Sequence, residues 1–318
     1  MSPAGPLAWV VGAGGLVGRH LAGELTRSGY EVRTAPVPWD DEDAAVDALR
    51  SQVEEFVTAR RGRAWLIAWC AGAGVVATSE EDLDAERRVF ASALDALEAA
   101  AGGEDDEGVV FLASSAGGLY AGSAGAPFTE DTEPHPLVPY GRTKLAMEVR
   151  VRELAARTGT RAVLGRLANV YGPGQRLGKP QGLLSQLCLA DATGSPLPVF
   201  VSMDTIRDYV HAGDVARMAV RATELVRGEP RGAAVVKVVA SGSPVTVGHL
   251  IGEARRVFHR PLRTVPVPGG RGQVLDLRMR SVRWPEVDAL ASTTLAAGLA
   301  ATAADVRARV AAGGPLDR

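Results

Sequence analysis

Short apolar runs alternate with longer amphipathic ones over the first two thirds of the chain. The runs "LAWVVG" (7–12), "EVRTA" (31–35), "AWLIAWC" (64–70), "GVVFLAS" (108–114) and "RAVLGRL" (161–167) are apolar enough to be strands buried on both faces of a parallel sheet. Between them, residues 16–28, 41–61, 82–101 and 140–158 read as helices. Strand, helix, strand in this rhythm predicts an α/β domain with a doubly wound sheet. After Tyr171 the pattern weakens, because "YGPGQRLGKPQG" (171–182) is rich in glycine and proline and reads as loop. A helix (183–191), a strand-like segment at "IRDYV" (206–210), a helix (213–226) and a strand (234–240) follow. The stretch "RPLRTVPVPGGRGQVLDLRMRSVRWP" (260–285) holds scattered short strands and turns. Residues 1–172, with 205–240 returning to them, are therefore expected to form the main domain, and 173–204 with 241–318 a smaller lobe interleaved with it. There is no internal repeat, and the acidic "GGEDDEG" (102–108) reads as a solvated turn.

Composition narrows the classes. The chain of 318 residues is 46% hydrophobic and 23% charged, as expected of a globular protein with a substantial core. Its formal net charge of -2 leaves no basic excess to neutralise phosphates, which argues against general binding to nucleic acid. Cys70 and Cys188 are too few for a disulfide framework or a zinc site, and His20, His135, His211, His249 and His259 show no ligand spacing. No metal is expected. Only about six residues precede the first strand, too few for a targeting peptide, and no apolar run reaches the roughly 18 residues of a membrane span. The expected location is cytoplasmic.

Two motifs carry chemistry. Directly after the first strand, "GAGGLVG" spaces Gly12, Gly15 and Gly18 as G-x-x-G-x-x-G. Such glycines permit a tight turn, close approach of backbone to a pyrophosphate, and close packing of the helix whose N-terminus faces the anion. A dinucleotide site is expected there. In "VPYGRTKLAMEV" (138–149), Tyr140 and Lys144 stand four positions apart, on one helix face and about 6 Å from each other. A nearby cation favours phenolate, which suits a tyrosine that exchanges a proton with an alcohol or carbonyl. On spacing alone, active site and ordinary helix surface both stay open.

Together with "LASSAGG" (112–118) at the end of the intervening strand, these motifs resemble the short-chain dehydrogenase/reductase superfamily. "LANVYGPGQ" (167–175) and "DTIRDYVHAGDVARMAV" (204–220) resemble its extended branch of nucleotide-sugar epimerases, dehydratases and ketoreductases. The resemblance covers nearly the whole chain and implies a Rossmann-like fold with a smaller C-terminal substrate-binding lobe. It implies Tyr140 as proton donor or acceptor, with Lys144 as the cation that favours its phenolate and holds the nicotinamide ribose. Gly12, Gly15, Gly18, Leu16, Val17, Ala71 and Gly72 would line the cofactor. Ser115, 25 residues before Tyr140, is the expected catalytic serine; alignment on "LY" instead puts Ala116 there, and Ser114 is the substitute and a substrate contact. Asn169, Arg207 and Arg271 are implied to bind a nucleotide-diphosphate sugar, for which a guanidinium has matching geometry. Asp208 and Asp214 are expected to order loops and cap the helix near Gly213. A homodimer through the helices 82–101 and 140–158 is implied as well.

Departures from the family matter. The acidic residue that usually ends the second strand and binds the adenosine ribose is replaced by Pro36, with Arg33 shortly before it. This tilts the expected cofactor from NAD slightly toward NADP(H), with Arg33 a candidate for the 2′-phosphate and Asp40 or Asp41 for part of adenine recognition. A strand–helix unit of the usual fold also reads as shortened, and the Thr-Asp-Glu run of 4,6-dehydratases is replaced by Ser-Ser-Ala-Gly-Gly. The expected function is thus reduction of a keto-sugar nucleotide, or epimerisation through a transient ketone. The same chemistry on a non-sugar natural-product carbonyl, or a non-catalytic dinucleotide-binding protein, is the alternative.

Overall fold

The computed structural model describes residues 5–60, 62–72, 78–100, 107–178, 182–267 and 274–313. In chain order the first half comprises β1 (Leu7–Val11), α1 (Leu16–Arg27), β2 (Glu31–Arg33), α2 (Glu42–Arg60), β3 (Trp65–Trp69), α3 (Glu80–Ala100), β4 (Gly108–Ser115), α4 (Ala116–Tyr120), α5 (Pro139–Thr158) and β5 (Arg161–Leu167). The second half comprises β6 (Asn169–Tyr171), α6 (Leu183–Thr193), β7 (Leu197–Val199), β8 (Ile206–Arg207), β9 (Tyr209–His211), α7 (Ala212–Leu225), β10 (Ala234–Val239), β11 (Val245–Thr246), α8 (Val247–Phe258), β12 (Thr264–Pro266), β13 (Asp276–Leu277), α9 (Pro285–Asp288) and α10 (Leu295–Ala311).

Six strands form one parallel sheet in the order β10-β5-β4-β3-β1-β2. Successive side chains of a strand point to opposite faces, and the core divides accordingly. Leu7, Trp9 and Val11 of β1 face α2, α3 and α5, whereas Ala8 and Val10 face α1 and α7. The strand order reverses at β1, which has β2 on one side and β3 on the other. Ligands of open α/β sheets bind outside the carboxyl ends of the strands at such a point. Only α2 lies between the edge strand β2 and β3, as the sequence pattern suggests.

A third core gathers α6, α8 and α10 around Leu187, Leu250, Ile251, Leu299 and Val306. Two of these helices, α8 and α10, are absent from the sequence reading. Both start at a threonine cap: Thr246 Oγ1 accepts from His249 N at 3.0 Å and Thr294 Oγ1 from Ala297 N at 3.2 Å. The strand-like "IRDYV" divides at Asp208, β8 pairing with β11 and β13, β9 with β6.

The segment after β13 is fastened to the main sheet by buried charge. Lys237 of β10 is wholly buried and donates to Ser281 Oγ (2.5 Å), the Arg283 carbonyl (2.5 Å) and Asp288 Oδ1 (2.6 Å). Glu130 accepts from Val238 N (3.0 Å), Ser281 Oγ (2.7 Å) and Val282 N (2.8 Å).

Candidate active site

The glycine-rich turn follows β1. Gly12 has φ +85°, and a Cβ there would lie 2.5 Å from Ala71 N at the end of β3. A Cβ on Gly18 would collide with the Gly12 carbonyl, so α1 approaches the turn only because residue 18 has no side chain. Gly15 caps α1 without a side-chain hydrogen bond and donates its own N–H to Gly12 O at 3.0 Å. Leu16 and Val17 form the first turn, both half-buried. This bare backbone at a helix N-terminus fits the diphosphate of a dinucleotide.

Ala71 and Gly72 connect the turn to the Tyr–Lys helix. Ala71 abuts Gly12, and a Cβ on Gly72, which has φ +147°, would lie 2.9 Å from Lys144 Nζ. Lys144 is buried, its Nζ 5.7 Å from the centre of the Tyr140 ring. Ser115 caps α4, its Oγ accepting from Gly118 N at 3.1 Å. A Cβ on Gly118 would lie 3.0 Å from Tyr140 Cε1 and 3.3 Å from Ser115 Oγ, so phenol ring and hydroxyl flank the same bare position. Gly12, Ala71, Gly72, Lys144, Tyr140, Gly118 and Ser115 thus follow one another as a continuous row of neighbours, the lining of the candidate site.

Ser114 and Ala116 are elsewhere. Ala116 is fully buried against Tyr120 and Phe128. Ser114, expected as a substrate contact, is 4% exposed and donates to Glu148 Oε1 at 2.6 Å. The same carboxylate receives Arg166 at 2.8–3.3 Å, and Arg166 also donates to Tyr120 Oη at 2.7 Å. Ser114 therefore belongs to a buried network under α5, not to the lining.

Two of the expected substrate residues, Asn169 and Arg207, adjoin Asp208. Asn169 is exposed and donates to the Asp208 carbonyl at 2.9 Å. Arg207 donates to the carbonyls of Ile206 (2.8 Å) and Val274 (2.9 Å), which fastens β8 to the segment before β13. Burial pulls its pKa below the ordinary arginine value. Arg271 lies outside the described residues. Asp208 accepts from Ser241 N at 2.7 Å, and Asp214 accepts from Thr293 N at 2.9 Å, so both order loops. The cap of α7 is His211, not Asp214: its Nδ1 accepts from Gly213 N at 3.2 Å.

On the adenine side, Arg33 reaches Glu31 at 3.5 Å, and Arg63 beside Glu31 holds that carboxyl below its usual range. Asp41 Oδ1 accepts from Ala44 N at 3.1 Å as a cap of α2, while Asp40 is exposed. Residues missed in the sequence are Glu86, which bonds Lys144 at 3.0 Å, and Trp39, 48% exposed and edge-on to Trp69 at 6.4 Å.

His211 supplies a pH dependence. Its role as acceptor requires the unprotonated ring, and burial holds its pKa below the ordinary histidine value. The unfolded chain then binds a proton that the folded chain refuses, so this stability is present above about pH 6.5 and lost as pH falls below it. The midpoint of thermal unfolding should drop from pH 7 to 5, and His211→Asn, which keeps a cap acceptor, should drop less. The difference is on the order of 1 kcal/mol, a helix cap's worth; identical pH profiles would reject the assignment.

A doubly wound parallel sheet with a glycine turn at its switch point defines a Rossmann-like α/β protein. The profile of the NAD dependent epimerase/dehydratase family matches residues 8–236, and the chain belongs to that family. It is 30% identical to a UDP-glucose 4-epimerase of Azospirillum brasilense, over 74% of this chain and 76% of that protein. It is 28% identical to a dTDP-4-dehydro-6-deoxy-D-allose reductase of a Streptomyces species, over 94% and 96%. A dTDP-4-dehydro-6-deoxyglucose reductase of Escherichia coli is 28% identical over 45% of this chain and 43% of its own length. Among solved structures, a UDP-glucose 4-epimerase of Thermotoga maritima with UDP-glucose superposes with TM-score 0.80, at 21% identity over 96% of this chain and 99% of that one. MoeE5 in complex with UDP-glucose and NAD superposes with TM-score 0.75, at 25% identity over 96% and 99%. Among the described residues, no helix is long and apolar enough to cross a membrane.

Proposed function

We propose that the protein is an NAD(P)-dependent oxidoreductase of the extended short-chain type that reduces, or epimerises through, a keto group of a nucleotide-linked sugar. The observation that carries this reading is the continuous lining from Gly12 through Gly72 and Lys144 to Tyr140 and Ser115. It joins a diphosphate cradle to an acid–base pair. The glycine turn, Leu16, Val17, Ala71, Gly72 and Lys144 would hold the dinucleotide, which would supply hydride exchange with the substrate carbon. The residues do the rest. Ser115 offers its hydroxyl to the reacting oxygen, Tyr140 gives or takes the proton there, and Lys144 places a positive charge beside the phenol and bonds the ribose. Ser115 spends only an acceptor position on Gly118, so its O–H is available to donate.

The slight preference for NADP(H) rests on Pro36 standing where a ribose-binding carboxylate would repel a 2′-phosphate. Arg33 would have to exchange Glu31 for that phosphate. A homodimer through α3 and α5 is part of the same proposal. Arg207 favours a second reading, the same chemistry on a carbonyl compound without a diphosphate, because its guanidinium is engaged by backbone carbonyls. Both readings share one test: release and identify any dinucleotide carried by the purified protein, then titrate NAD(H), NADP(H), UDP and TDP into the stripped protein. Retained NAD with UDP or TDP binding points to an epimerase, and empty protein preferring NADPH points to a reductase. Dinucleotide binding without either nucleotide favours the second reading, and no dinucleotide binding rejects both.

A further inference from the structure

Lys144 has a partner that the Tyr–Lys motif does not specify. Its Nζ donates to Glu86 Oε1 at 3.0 Å, across from α5 to α3, and the two side chains are only 6% and 13% exposed. Of the other ion pairs between these helices, Arg142–Glu80, Arg150–Asp95 and Arg157–Glu98 each include a member more than half exposed, and Arg150–Glu98, at 16% and 27%, is also more exposed than the Lys144 pair. Exposed pairs contribute little. A buried ammonium without a counter-charge is costly, so the Glu86 pair has a different standing.

Its location ties it to the lining. A Cβ on Gly72 would lie 2.9 Å from both Glu86 Oε1 and Lys144 Nζ, so the pair occupies the space directly under the Gly72 backbone. A lysine stem is flexible, and its ammonium is a point charge with three donors. One donor is fixed by Glu86, and a second lies 3.7 Å from Met147 Sδ, a weak acceptor. With the carboxylate removed, the ammonium keeps, among the described residues, that sulfur as its hydrogen-bond partner.

We propose that Glu86 is a positioning residue of the active site, which holds the Lys144 ammonium under Gly72, with a donor left over for the nicotinamide ribose. This rests on the reading of Lys144 given above. Glu86 neither gives nor takes a proton in the reaction; its effect on the dinucleotide runs through Lys144.

The test is calorimetric titration of NADH and of ADP, the adenine half that Lys144 does not serve, into the stripped full-length protein. Glu86→Ala should weaken NADH about tenfold, the value of one charge-assisted hydrogen bond, and leave ADP within about twofold. Glu86→Gln keeps an acceptor of the same shape and should recover NADH affinity to within about threefold of the parent. In a Lys144→Met background, Glu86→Ala should cost nothing further, as expected of two groups acting as a unit. Equal losses for NADH and ADP, or an undiminished loss in the Lys144→Met background, would overturn the inference while leaving the role of Lys144 intact. If Lys144→Met alone leaves NADH binding unchanged, the reading of the Tyr–Lys pair fails, and the inference falls with it.

Discussion

Tyr140→Phe is expected to lower turnover by about a thousandfold, the usual worth of a positioned general acid, while dinucleotide affinity stays within about twofold of the parent. The phenylalanine keeps the ring that packs beside Gly118 and under the Lys144 ammonium. Only the transferable proton is lost. Stopped-flow measurement of hydride transfer separates this from slower product release, because the reduced nicotinamide is observed directly. Ser115→Ala should cost less, since it removes one hydrogen bond to the reacting oxygen and leaves the proton donor in place. Turnover of Tyr140→Phe at the parent rate would remove Tyr140 from the chemistry.

The largest loss of stability is expected from Arg166→Ala, about 3–5 kcal/mol by chemical denaturation. Arg166 and Glu148 are 4% and 1% exposed, and the carboxylate also holds Ser114. Burial alone would pull the arginine down, yet the Glu148 carboxylate outweighs it and raises its pKa. Removing the guanidinium leaves Glu148 buried without a counter-charge and Tyr120 without a donor to its hydroxyl. Replacing both charges, as in Arg166→Met with Glu148→Leu, should recover most of the loss, because well-packed apolar groups often replace a buried pair at little cost. If Arg166→Ala unfolds at the parent denaturant concentration, the network is not a stabilising one. Glu148 lies one turn beyond Lys144 on α5, so the network also fixes the helix that presents the proposed catalytic pair.

How far the sequence could be read depended on what each residue packs against. The strands around Trp65–Trp69 and Leu7–Val11 are buried on both faces, and their unbroken apolar runs show it. The helix at 295–311 was hidden because "LAAGLAATAADVRARVA" is alanine-rich on all sides and presents no distinct stripe; only Thr294 marks its start. Tyr140 and Lys144 are legible because both lie on one helix, four residues apart. Glu86 is 58 residues from Lys144 in sequence and looks like any other acid on a charged helix. Tertiary packing alone selects it. Spacing to Tyr140 favours Ser115 over Ser114 only narrowly, but strand alternation sends neighbours to opposite faces, so Ser114 serves the network and Ser115 lies beside Gly118. The family resemblance implies Arg207 as a phosphate ligand, and nothing in the sequence shows that its guanidinium also bonds the carbonyls of Ile206 and Val274.

The clasp between β10 and the segment 281–288 bears on how such proteins diversify. Lys237, at the centre of the outermost strand of the sheet on that side, is neutralised by residues that arrive some fifty positions later. A recombination event that exchanged everything after β10 for the C-terminal half of a relative would remove Ser281 and Asp288 and leave the buried Lys237 ammonium with Glu130, 3.9 Å away, as its counter-charge. Such an exchange is expected to cost stability unless the incoming segment supplies equivalents of those two partners.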